Sequence, residues 1–89
     1  MQAEAKLIID NALKAKIEDT KNYIENANKE IDNLYAIQNN VWEIYDYKES
    51  AIINSALELE VKEKKKIIEN LEKEIEQIYK VIDKNLEMI

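Results

Sequence analysis

The side chains that could carry out chemistry in this 89-residue chain are Tyr, Ser, Lys and carboxylates, because the sequence contains no His and no Cys. The usual nucleophile–base pairs and most metal ligands are therefore missing. Carboxylate-bridged iron sites use Glu-x-x-His, and calcium and phosphate loops need Gly, of which there is none. We predict that the protein is not an enzyme and that it holds no metal and no cofactor.

The aromatic residues are concentrated in one segment. Four of the six lie within the thirteen residues from Tyr35 to Tyr47. Trp and Tyr combine a large rigid surface with a polar group, which is why they often anchor protein interfaces. A simpler explanation is that the rings of Trp42 and Tyr45 fill the space where two helices separate at a turn. Tyr47 and Tyr35 are then the rings that we expect to be exposed.

Negative charge is concentrated in the same part of the chain. Residues 17–49 carry a net charge of −5, against +1 for residues 1–16 and −2 for residues 50–89. Such a surface suits a basic partner, including a groove that normally receives nucleic acid, although it could also be a solvated face. The overall charge of −6 argues against direct binding of nucleic acid or an anionic membrane. The predicted partner-binding residues are Tyr35, Trp42, Glu43, Asp46, Tyr47 and Glu49.

Two long helices must position this segment. The chain has no Gly and no Pro, so helix is favoured throughout. Apolar residues recur at spacings of three and four from Ile9 to Val41, alternating after the first two steps, and a second such stripe runs from Ile53 to Ile89. We predict an all-α fold: an antiparallel helical hairpin with coiled-coil packing, in a single domain over residues 1–89. The residues of the predicted oligomer seam are Ile24, Ile31, Leu34, Ile68, Leu71, Ile75, Ile78 and Ile82.

The phase of the apolar pattern changes between the two stripes, which marks a turn. Asn39–Asn40 is the predicted turn, because Asn tolerates the left-handed conformation at a helix C-terminus. Capping-box patterns occur at Asn40 with Glu43 and at Ser55 with Glu58, so the sequence does not decide whether there is a short third helix. It also leaves open a nearly continuous helix that forms an intermolecular coiled coil. The predicted elements are a helix over residues 3–38, a turn at 39–40, and a helix over 41–53 that either continues or breaks before a helix over 56–88.

The apolar stripes are wider than one contact between two helices can cover. A chain of this length buries only a thin core, and neither a disulfide nor a metal can reinforce it. We therefore predict a homodimer or a tight complex with another protein. The residues that widen the stripes are Tyr23, Ile37, Ile67 and Val81.

A Trp near the middle of the chain and a Tyr-x-x-x-acid pattern near its end carry a family resemblance. With Trp42, Tyr79 and Asp83 at these positions, the chain resembles in outline the Trp-x-Gly proteins of type VII secretion. It departs from them because Glu43 and Ile44 follow the Trp, so the Gly of the family motif is missing. The resemblance implies a helical hairpin that dimerises, with Trp42, Tyr79 and Asp83 forming an export signal.

These features predict a non-catalytic protein–protein interaction module. The leading hypothesis is a small acidic inhibitor or regulator that docks its acidic and aromatic turn on a partner, for example a phage-type blocker of a basic nucleic-acid-binding enzyme. The alternatives are a type VII secretion substrate or partner and a structural coiled-coil assembly subunit.

The composition also bears on the source and the compartment. Heavy use of Ile, Lys, Asn and Tyr is typical of A/T-rich codons and indicates a low-GC bacterial or phage genome. No apolar run is long enough for a membrane span or a signal-peptide core. We therefore expect a location in the cytoplasm of a bacterium or an infected host cell, with signal-less secretion left open.

Overall fold

The computed structural model describes residues 2–87, which form two long α-helices joined by a tight turn. Helix α1 runs over Gln2–Ile44 and helix α2 over Tyr47–Glu87. The helices pack side by side as an antiparallel hairpin that is 68 Å long and 14 by 12 Å across. The predicted all-α class and helical hairpin are confirmed. Within residues 2–87, neither helix is apolar enough over a sufficient length to cross a membrane.

Burial follows the apolar stripes, since these side chains have only the opposite helix to cover them. Near the middle of the hairpin, Ile31 belongs to a buried cluster with Val61 and Ile68. Closer to the chain ends, Ile17 belongs to a second cluster with Ile78. Removal of this apolar surface from water stabilises the hairpin.

The eight residues of the predicted oligomer seam lie at this contact within one chain. Four of them belong to the first cluster and three to the second, counting the half-buried members. Their apolar surface is covered by the opposite helix, so a second chain would have to use a different surface. The eight residues, all buried or half-buried, are Ile24, Ile31, Leu34, Ile68, Leu71, Ile75, Ile78 and Ile82.

Three polar residues also lie in the seam, and each makes a hydrogen bond. Two of these bonds cross from one helix to the other, so they favour a single register of the two helices. The hydrogen bond to Glu30 raises the pKa of Lys64 and keeps its ammonium group charged. The bonds run from Thr20 to the Lys16 carbonyl oxygen (2.7 Å), from Gln38 to the Asn54 carbonyl oxygen (3.3 Å), and from Lys64 to the Glu30 carboxylate (2.7 Å).

The turn lies at Tyr45 and Asp46, so the predicted turn at Asn39–Asn40 is wrong. Both Asn residues lie inside α1, no described residue adopts a positive φ, and the described chain has two helices rather than three. The physical reason is helix length. The observed helices have 43 and 41 residues and cover each other almost completely. A turn at 39–40 would leave about 15 Å of the second helix without a partner.

The seam also differs from the prediction at the open end of the hairpin. Ile9 and Leu86 are exposed there, while Asp10 and Asn85 occupy the half-buried positions. Asn85 donates a side-chain hydrogen bond to the Lys6 carbonyl oxygen at 3.1 Å. Continued toward the N-terminus, the alternating spacing of the seam arrives at Asp10 and not at Ile9, so register outweighs the hydrophobicity of individual residues here.

Replacement of a buried seam residue should destabilise the hairpin strongly. Ile31 is 5% exposed, so we expect Ile31→Ala to lower the free energy of unfolding by about 2–5 kcal/mol through lost burial and the cavity left behind. Urea titration followed by circular dichroism measures this change. The matched control is Ile52→Ala at a position that is 71% exposed, where we expect a change within about 0.5 kcal/mol. Equal losses for the two variants would contradict the observed packing.

Candidate interaction site

The turn is held in place by the first residues of α2. The Asp46 side chain accepts a hydrogen bond from the backbone N–H of Glu49 at 2.8 Å and so acts as the N-cap of α2. Since Glu49 follows at the third position, the two residues match the capping-box pattern. The hydrogen bond from the Glu49 backbone holds the pKa of Asp46 below its ordinary value. Sequence reasoning assigned both residues to partner binding and missed this structural role.

Ser50, in the first turn of α2, closes the turn against the end of α1. It has no exposed surface, and its hydroxyl group lies 3.2 Å from the Tyr45 carbonyl oxygen and 3.4 Å from the Val41 carbonyl oxygen. The Val41 carbonyl oxygen already accepts the backbone N–H of Tyr45 at 3.0 Å, so the hydroxyl proton supplies a partner for the Tyr45 carbonyl oxygen at the end of α1, where carbonyl groups lack intrahelical partners. The backbone N–H of Ser50 in turn donates to the Asp46 carbonyl oxygen at 2.8 Å. A small polar side chain is therefore required at this position.

The rings of Trp42 and Tyr47 contact each other across the turn. Their centroids are 5.6 Å apart and their planes are inclined by 46°. Trp42 lies in the last turn of α1 and Tyr47 begins α2, so the contact joins the two helix ends. Both rings remain accessible, with Trp42 51% and Tyr47 79% exposed. The alternative in which Trp42 and Tyr45 fill the space between the helices is wrong, because both side chains are exposed.

Residues 42–49 together form the exposed end of the hairpin, which we call the tip. Every side chain in this range is exposed. Ile44, which sequence reasoning did not select, is 72% exposed and enlarges the apolar surface beside the two rings. Three carboxylates and one Lys give the tip a net charge of −2. Its charged residues are Glu43, Asp46, Lys48 and Glu49.

Tyr35 lies apart from the tip. It is two helical turns before Trp42, which corresponds to about 10 Å along α1. The ammonium nitrogen of Lys65 lies 5.5 Å from the centroid of the Tyr35 ring, in a cation–π contact. The ring also lines a shallow groove of about 340 Å³ beside Val61. The structure therefore brings together the predicted partner-binding residues other than Tyr35.

The residues of the secretion resemblance are not brought together within one chain. The ammonium group of Lys21 donates a hydrogen bond to the Tyr79 hydroxyl group at 3.5 Å through two long side chains. Because Lys16 lies level with Glu74, the backbone of Tyr79 lies near the level of residue 11, about 45 Å from Trp42 along α1. Asp83 is exposed one turn after Tyr79 in α2.

Residues 2–87 contain no group of three or more acidic side chains that could hold a metal ion.

Comparison of the sequence with protein-family models, with curated proteins and with solved structures found no match. The tip combines exposed rings, an exposed Ile and negative charge, which is an arrangement suited to contact with another macromolecule.

The Asp46 cap should make the stability of the hairpin depend on pH. Because its pKa is lowered in the folded protein, the stabilisation is complete above the unfolded pKa of about 3.9 and is lost as the pH falls through the lower folded value. We expect Asp46→Ala to lower the thermal midpoint at pH 7, measured by circular dichroism. The difference from wild type should shrink as the pH falls from about 4 toward 2.

Asp46→Asn is the matched control for this prediction, because Asn caps helices at any pH. The difference in thermal midpoint between Asp46→Asn and Asp46→Ala should stay constant over the same pH range. A wild-type advantage over Asp46→Ala that persists unchanged at pH 2 would contradict a role for the ionised carboxylate.

Proposed function

We propose that this is a non-catalytic binding protein whose tip docks on a basic surface of a partner protein. The observation that supports this proposal is the exposed pair of contacting rings, Trp42 and Tyr47, at an end of the molecule with net negative charge. Aromatic anchors surrounded by polar residues are the arrangement that supplies most of the binding energy in many interfaces.

The tip is organised before any partner arrives. The contact between Trp42 and Tyr47 restricts both rings, and the hydrogen bonds of Asp46 and Ser50 hold the backbone that carries them. A surface that is already ordered loses less conformational entropy on binding. This order favours a role of the two rings in recognition over the alternative that they are exposed only because the turn is poorly ordered.

The charge of the tip favours a basic partner. Glu43 is exposed beside Trp42, and the lowered pKa of Asp46 keeps that carboxylate ionised at physiological pH. Complementary charge increases association rates and makes binding sensitive to salt. A surface that normally receives the phosphates of nucleic acid has this chemistry. The specific form of the proposal is a small inhibitor that covers such a surface on a nucleic-acid-processing enzyme.

Removal of the two rings should abolish partner capture without unfolding the hairpin. We expect the double variant Trp42→Ala/Tyr47→Ala to capture at least tenfold less partner than wild type from a lysate of the source cell, as quantified by mass spectrometry. Loss of a pair of interface anchors commonly costs this much affinity. Asp46 is left unchanged because it caps α2. The matched control is Tyr79→Ala, which removes an exposed ring far from the tip.

Charge is tested separately with Glu43→Lys and with heparin as a polyanionic competitor. If the partner binds through a basic surface that normally receives nucleic acid, the Glu43→Lys substitution and added heparin should each reduce capture. A higher salt concentration should reduce it as well. Capture that is equal for wild type and for both tip variants would refute the proposed function.

A further inference from the structure

One side of the hairpin carries a regular series of residues that flank the seam, which we call the ladder side. In each helix these residues recur every seven positions, so they share one side and are about 10.5 Å apart. The ion pair between Lys16 and Glu74, at 3.8 Å, shows which residues of the two helices are level with each other. From the turn to the chain ends the rungs are Ile37 with Ile53, Glu30 with Glu60, Tyr23 with Ile67, Lys16 with Glu74, and Ile9 with Val81.

Apolar and charged rungs alternate along the ladder side, and the apolar ones are poorly covered. Its five most accessible apolar side chains are 46% to 63% exposed. The equivalent positions on the opposite side are mainly charged through the middle of the hairpin, where Lys14, Lys21 and Glu72 lie. Only the ladder side therefore presents apolar residues at regular intervals over most of the length. The five are Ile9, Tyr23, Ile37, Ile67 and Val81.

The surface area of the chain is large enough to include an interface. The hairpin exposes 7056 Å², whereas a compact monomer of 10.5 kDa exposes about 5,400 Å². The excess is about 1,600 Å², and a stable dimer needs to cover only about 800 Å² on each chain. Covering one long side of the hairpin would bring its exposed area toward that of an ordinary folded protein.

We propose that a second copy of this chain covers the ladder side in an antiparallel orientation, with each tip directed toward the chain ends of the other copy. The two-fold axis passes through the rung of Tyr23 and Ile67, which lies at the midpoint of both helices. Each apolar rung then meets an apolar rung: the central rung meets its own copy, and the rung of Ile37 meets the rung of Ile9.

The charged rungs select this orientation over the parallel one. In a parallel dimer the rung of Glu30 and Glu60 would lie against its own copy, which would bring four carboxylates together in the interface. In the antiparallel dimer Glu30 faces Lys16 of the second copy while Glu60 faces Glu74, so each meeting of charged rungs contains an ammonium group beside three carboxylates. Opposite charges across an interface favour the correct partner orientation, and like charges penalise the wrong one.

The antiparallel arrangement leaves the tips free. With the axis at Tyr23, the last residue of α1, Ile44, comes level with Gln2 of the second copy. Residues of the turn therefore lie at the end of the partner helix or beyond it. The dimer presents one tip at each end, and its formation does not depend on what the tips bind.

The mass in solution tests the proposed surface. We expect light scattering to give twice the chain mass of 10.5 kDa for the wild-type protein. Ile67→Lys places two ammonium groups at the two-fold axis and should reduce the measured mass twofold, with helicity retained by circular dichroism. Tyr79→Lys, on the opposite side, should remain dimeric. A monomeric wild type, or a dimer unaffected by Ile67→Lys, would overturn the proposal, whatever the tip variants show in capture experiments.

Disulfide cross-linking tests the orientation, and it is clean because the chain has no natural Cys. Positions 9 and 37 lie about 42 Å apart along one hairpin. In an antiparallel dimer of either single-Cys variant, Ile9→Cys or Ile37→Cys, the two thiols are therefore far apart. In the antiparallel dimer, a mixture of the two variants should form the mixed disulfide on mild oxidation, and neither variant should react efficiently alone. Self-cross-linking of Ile37→Cys, or the absence of the mixed disulfide, would overturn the antiparallel arrangement.

Discussion

The register of the contact between α1 and α2 is the constraint on which the rest of the structure depends. This contact is the one large apolar interface in residues 2–87, and the chain has no disulfide to supplement it. Two interhelical hydrogen bonds, from Gln38 to Asn54 and from Lys64 to Glu30, favour one alignment of the helices. The turn at residues 45–46 is compatible with that alignment, because it gives the two helices nearly equal lengths.

Both proposed surfaces follow from this simple architecture. A domain normally buries the apolar surface of its elements between packed layers, and a two-helix hairpin has no further layer to cover residues beside the seam. Tyr23 and Ile67 are exposed for this reason, as are Trp42 and Tyr47 at the end where the helices stop. The same geometry thus produces a long side suited to another hairpin and a compact end suited to a different partner.

The helices could be predicted because their signal is repeated many times, whereas the turn depended on a few residues. The alternating spacing predicts the seam through Ile17 and Ile31 correctly, since each additional apolar residue reinforces the same register. Asn40 with Glu43 and Asp46 with Glu49 offer the same local capping pattern, and only the match of helix lengths distinguishes them. The contact between Trp42 and Tyr47 is tertiary, so the sequence indicated the segment but not the arrangement of its rings.

The position of the turn also determines whether the ladder side can pair with itself. With the turn at 45–46, Lys16 lies level with Glu74, and a rung of apolar residues falls at the centre of the hairpin. A turn at 39–40 would move α2 by about 12 residues relative to α1, so Lys16 would no longer lie level with Glu74. The central rung would then be lost together with the contact between Lys64 and Glu30. The cap formed by Asp46 and the buried hydroxyl group of Ser50 therefore contribute to both surfaces: they order the tip directly, and they set the register that aligns the ladder side.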